Sequence, residues 1–126
     1  MRFRPEQHIR RQAEIKALRE KGRRVDCGAF TLWWLERSDV PAGAKPGPRV
    51  CVVASIAAVG RAVLRNRAKR RLRELFRRHQ EKIGARIDLM LLARAAVNKL
   101  DYPVLEERFL QACNRLPRAD HPKNLN

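Results

Sequence analysis

No stretch of this 126-residue chain approaches the run of about 20 apolar residues that a membrane-spanning helix requires. The opening residues, Met1-Arg-Phe-Arg-Pro-Glu-Gln-His, contain no apolar core of a secretory signal, so a cytoplasmic location and no membrane partner are expected. Cysteine is scarce: Cys27, Cys51 and Cys113 are odd in number, far apart and free of any CxxC pair. His8, His79 and His121 do not cluster with them, so metal-ligand spacing is absent and inert thiols in a reducing compartment are expected. Acids are also few, 13 against 29 Lys and Arg. Asp26, Asp39, Asp88 and Asp101 sit at strand ends or in loops with no spacing that demands convergence. That argues against a protein-only nuclease, which would need clustered carboxylates for its metals. No repeat of 20–50 residues is visible.

What is present is a formal net charge of +16 and a pI near 11.4. A charge that large repels itself in the compact state and points to a polyanionic partner, nucleic acid first. The 44% hydrophobic fraction supplies a core and excludes a wholly disordered basic protein. The length suits one compact domain.

Residues 1–8 read as a flexible basic arm, 9–116 as the domain and 117–126 as a disordered tail. The pattern predicts a short helix over Arg10–Lys21, with Ile15 and Leu18 on its narrow apolar face and Gly22 as its stop. Val25–Leu35 reads as an alternating strand, split in two or supplemented by a strand from the following loop if the sheet is to have four. Of Trp33 and Trp34, one is expected in the core and the other on the opposite face. Glu36–Arg49 is rich in Pro and Gly and reads as a loop; Val50–Ile56 and Ile87–Ala93 read as strands. A basic helix is predicted from about Val59 to His79, a charged turn over Gln80–Ala85, and a last helix over Asp101–Leu116 with Pro103 in its first turn. The order αβββαβα gives an α+β domain.

The stretch Arg61 to Arg78 carries nine basic residues and one acid, Glu74. Leu64, Ala68, Leu72 and Leu75 recur at helical spacing with Phe76 beside them, so the helix docks by one stripe. Asn66, Arg70, Arg73 and Arg77 form one exposed ridge with Lys69 on its shoulder; Arg67, Arg71 and Arg78 form a second. Arg65 falls near the apolar side, where its stem can lie along the sheet. Glu74 is expected to pair with Arg70, Arg71 or Arg78. Arginine dominates over lysine, which favours bidentate phosphate contact over a merely solvated face.

Gly60-Arg-Ala-Val-Leu-Arg-Asn-Arg-Ala-Lys-Arg-Arg-Leu-Arg-Glu-Leu-Phe76 closely resembles the signature G-x-A-V-x-R-N-R-x-K-R-x-x-R-E-x-F of the protein subunit of bacterial ribonuclease P. Every fixed position is met, from Gly60, Ala62, Val63, Arg65, Asn66 and Arg67 through Lys69, Arg70, Arg73, Glu74 and Phe76. The resemblance extends over roughly Ile9 to Leu116. It implies an α-β sandwich with a central mixed sheet and a left-handed βαβ crossover holding the basic helix. It implies a 1:1 complex of a monomeric protein with a catalytic RNA, which performs Mg²⁺-dependent removal of the 5′ leader from precursor tRNA. The Mg²⁺ and the catalytic centre belong to the RNA, and the protein contributes no catalytic residue. The resemblance places RNA contact at Arg61, Arg65, Asn66, Arg67, Lys69, Arg70, Arg73 and Arg77. It places a leader cleft at Ile15, Arg19, Phe30 and Trp33.

This sequence departs from the family around that cleft. Ile15 and Arg19 stand where the family usually has aromatics, Val52 where it has a glycine, and Ala57 and Ala58 where it has a lysine pair. The alternative reading is a generic RNA-binding protein of ribosomal type, with no processing role.

Overall fold

The computed structural model describes Ile9, residues 12–37 and residues 47–117. The expected arm, most of the Pro/Gly loop and most of the expected tail lie outside the described residues. The element order is α1 (Gln12–Lys21), β1 (Arg23–Asp26), β2 (Phe30–Glu36), β3 (Arg49–Val53), α2 (Ile56–Val59), α3 (Ala62–His79), β4 (Ile87–Ala93) and α4 (Tyr102–Cys113). Short 3-10 turns at Gln80–Lys82 and Ala95–Asn98 flank β4. This is the expected α+β order, with the aromatic segment split into β1 and β2 around a turn at Cys27–Ala29.

The sheet order is β1-β2-β4-β3. β2 pairs antiparallel with β1 and with β4, while β3 runs parallel to β4. Parallel neighbours cannot be joined by a tight turn, so α2 and α3 form the crossover between them. The basic helix begins at Ala62, not Val59. Val59 belongs to the separate four-residue turn of α2, which Ser55 caps by accepting from the Ala58 amide at 3.1 Å. Gly60 breaks the two apart with φ at 113°, a backbone region that side chains disfavour.

Strand alternation sends side chains to two faces. Phe30, Leu32 and Trp34 face the main core with Leu72, Leu75, Phe76 and Phe109. Trp33, Leu35, Cys51, Val53 and Met90 face α1, where Ile15 and Leu18 meet them. α3 docks as its spacing requires: Ala68, Leu72, Leu75 and Phe76 are all fully buried, and Leu64 is partly so. Each large side chain so buried contributes about 1.5–3 kcal/mol. Arg71 donates to the Leu100 carbonyl at 2.7 Å and Asn98 donates to the Leu64 carbonyl at 2.9 Å, so α3 is tied to the β4–α4 connection as well.

A charged network fixes α1 and the β2–β3 connection to the sheet. Arg49 and Asp88 are register partners on β3 and β4. Asp88, only 5% exposed, accepts from Arg49 Nε and Nη2 and from Arg37 Nη1. Arg49 Nη2 also donates to Glu14 of α1. Arg37 donates further to the Gly47 and Ala85 carbonyls. Paired carboxylates on both sides hold the Arg49 guanidinium more firmly protonated than an ordinary arginine, against the opposing cost of its burial.

Candidate nucleic-acid interface

With its apolar stripe on the sheet, α3 turns its cations outward. Arg61, Asn66, Arg67, Arg70 and Arg73 are exposed; Arg65, Lys69 and Arg77 are half-buried. Arg65 Nε is shielded from solvent and has no hydrogen-bond partner among the described residues, which agrees with a stem lying along the sheet. The first turn of α3 carries no acid, although the positive end of the helix dipole lies there. Arg61 and Arg65 therefore add positive charge to the positive end of the helix dipole. Arg77, Arg78 and His79 sit at the negative end, where cations are favoured.

The two ridges differ in how free they are. Arg77 Nε and Nη2 both donate to the Glu74 carboxylate, and Arg78 Nε lies 3.6 Å from it. Those contacts, Arg77 first, hold the Glu74 carboxyl below the ordinary carboxylate range. The spacing puts Arg77 on the exposed ridge and offers Glu74 to Arg70, Arg71 or Arg78. The i,i+3 spacing instead gives Glu74 to Arg77 as well as Arg78. Arg78 also lies over the Tyr102 ring and 3.8 Å from Glu106. Arg71 is spent on Leu100. The side chains at Arg61, Asn66, Arg67, Arg70 and Arg73 are the ones left presented to solvent.

The opposite face of the sheet forms a second surface. α1 lies over β2 and β4 and leaves Cys51 and Val53 of the edge strand β3 partly uncovered. Trp33 is half-buried beside them, and its indole Nε1 is screened from solvent with no acceptor among the described residues. Ile15 is half-buried and Arg19 exposed on α1. Phe30 does not belong to this surface. It is fully buried on the other face, with its ring 6.5 Å from that of Phe109. Residues i and i+3 of a strand point to opposite faces, so Phe30 and Trp33 cannot line one groove. Trp34 also takes the core side, half-buried, with the Arg23 guanidinium over its ring.

The two surfaces meet at the β3 edge. Burial pushes the Cys51 thiol up, while the charges of Arg73 and Lys69 pull it back down. Ala57 and Ala58 are exposed and bring no charge.

Among the described residues no three His, Cys, Asp or Glu side chains gather as a metal site. No helix among them is long and apolar enough to cross a membrane.

The arrangement has counterparts. The family model for ribonuclease P matches residues 3–117. The ribonuclease P protein component of Desulfovibrio desulfuricans is 35% identical over 113 residues, covering 87% of this chain and 82% of that protein. That of Acidothermus cellulolyticus is 33% identical, covering 88% of each. The solved RNase P protein of Staphylococcus aureus superposes with a TM-score of 0.71 at 22% identity, covering 86% of this chain and 93% of the other. The one from Thermotoga maritima gives 0.73 at 20% identity, with coverages of 87% and 97%. Those two establish the shared fold; the sequence matches, running through the whole described domain and the intact basic helix, establish that the chain belongs to the ribonuclease P protein family.

Proposed function

We propose that this chain is the RNA-binding subunit of a ribonucleoprotein that removes the 5′ leader from precursor tRNA, and that α3 is its contact with the catalytic RNA. The observation that carries this is the row Arg61, Asn66, Arg67, Arg70 and Arg73, exposed on a helix whose opposite stripe is fully buried. Arginine forks match phosphate oxygens in pairs, and neutralising those phosphates releases counterions from the RNA. The groove of Ile15, Arg19 and Trp33 then takes the single-stranded leader, with Trp33 as the stacking surface and Arg19 for phosphate or guanidinium stacking. The protein acts as a monomer, 1:1 with the RNA, in the cytoplasm.

Catalysis itself is assigned to the RNA and its Mg²⁺. The chemistry of this chain's acids supports that assignment. Asp26, Asp88, Glu14, Glu74 and Glu106 are each engaged by arginine or histidine, so they do not offer the convergent carboxylates of a two-metal site. The protein's contribution is positioning and charge neutralisation, which let substrate and catalytic RNA pack more closely.

The test is binding to a bacterial ribonuclease P RNA over a range of salt. Affinity should fall with a log–log slope of about 0.7–0.9 per phosphate contacted, and Arg65→Ala with Arg67→Ala should weaken binding and flatten that slope. A generic RNA-binding protein would hold random duplex of equal length as tightly as the catalytic RNA. Affinity untouched by the double substitution would remove α3 from the interface.

A further inference from the structure

A pocket of about 300 Å³ opens where the β1–β2 turn meets α4, at the sheet edge opposite β3. Cys27 and Gly28 line it on the turn; Arg108, Gln111 and Arg115 line it from α4 and the turn that follows. Those three recur at i, i+3 and i+7, so one flank brings two guanidiniums and an amide to a single opening. Its volume is at the lower end of ligand-sized pockets.

One guanidinium is held in place. Arg108 Nη1 donates to the Cys27 carbonyl at 3.2 Å, which uses one of its five N–H donors. Gly28 has φ at 80°, a backbone region that side chains disfavour, and a Cβ there would crowd the Arg108 head, so the glycine suits both the turn and the arginine beside it. The pocket's acid, Asp26, is already occupied: it accepts from the Gly28 amide at 2.9 Å and from Arg94 Nη1 at 3.3 Å. Arg94 thus offsets Asp26, and neither Arg108 nor Arg115 has an ion pair among the described residues. Arg115 is exposed. A lone surface arginine is an ordinary solvated charge. A fixed guanidinium joined by a free one and by an amide, around a concave opening, matches bidentate recognition of a phosphate.

We infer that this pocket is a second RNA-backbone site, which takes a phosphodiester group at the edge of the sheet opposite β3. The inference rests on the RNA-binding reading above but on separate residues. Its test pairs two double variants, Gln111→Ala with Arg115→Ala at the pocket and Arg67→Ala with Arg70→Ala on α3. All four side chains are exposed, and thermal melts check that each variant folds. Salt-dependent binding is measured with ribonuclease P RNA alone and with precursor tRNA added. The pocket variant is expected to lose about 0.7–0.9 from the log–log salt slope, the amount for one phosphate contact. A loss with the RNA alone assigns the phosphate to the RNA subunit; a loss only with precursor tRNA assigns it to the substrate. An unchanged slope in the pocket variant, with a reduced slope in the α3 variant, overturns the second site and leaves the first reading standing. Unchanged slopes in both overturn the two together.

Discussion

Replacing Asp88 by asparagine should destabilise the fold by about 2–4 kcal/mol. The carboxylate is 5% exposed and accepts three hydrogen bonds from two arginines. Removing one partner of a fully buried ion pair costs about 3–5 kcal/mol, because the other charge is stranded. Here the stranded groups retain some relief. The Arg37 and Arg49 side chains keep 16% and 23% exposure, Arg37 still reaches the Gly47 and Ala85 carbonyls, and Arg49 still reaches Glu14. Hence the lower range. The asparagine amide would also set a donor against guanidinium donors. Urea unfolding followed by circular dichroism is the assay. With a slope of about 2 kcal/mol per molar, the midpoint should fall by roughly 1–2 M with the slope unchanged. Glu14→Gln, which removes only the half-exposed end of the network, should cost at most about 1 kcal/mol. A loss under about 0.5 kcal/mol for Asp88→Asn, or a larger loss for Glu14→Gln, would refute the claim that this network anchors α1 and the β2–β3 connection through Asp88.

Gly60→Ala should cost about 1–3 kcal/mol in the same assay, since φ at 113° is nearly closed to side chains and the break between α2 and α3 depends on it. Burial pushes the Cys27 thiol up to about 11 and the Cys113 thiol up to about 12. Because the folded values lie above that of an unfolded thiol, their contribution is intact at neutral pH and is lost as pH rises above about 9. Urea midpoints should therefore decline above that pH, and less steeply when both residues are replaced by alanine; at pH 8 both thiols should react with iodoacetamide far more slowly in the folded than in the unfolded protein. Trp33→Ala should lower the ratio of affinities for leader-bearing over leaderless tRNA by about fivefold or more, the worth of one stacked base, and an unchanged ratio would remove Trp33 from the groove.

The basic helix is readable in the sequence because Leu64, Ala68, Leu72 and Leu75, with Phe76, recur at helical spacing among charged residues. Its start was misread because Val59 continues the apolar pattern, and only the backbone angle at Gly60 shows that the chain turns there. The division of β1 from β2 is one of the two options the sequence leaves open, the other being a strand from the following loop. Phe30 was assigned to the groove by resemblance although its spacing from Trp33 already placed the two on opposite faces. Arg77 likewise reads as part of the exposed ridge, although Glu74 stands three residues before it and takes it as a partner. The network of Glu14, Arg37, Arg49 and Asp88 left no local trace. Its members are distant in sequence, and only the parallel pairing of β3 with β4 makes Arg49 and Asp88 neighbours. The pocket under the β1–β2 turn depends in the same way on where α4 lands.

Single-turnover cleavage of precursor tRNA by a bacterial ribonuclease P RNA, at Mg²⁺ too low for the RNA to act well alone, bears on the central claim most directly. Adding this protein should restore 5′ leader removal, while the protein without RNA should cleave nothing. No stimulation, or cleavage by the protein alone, would contradict the account.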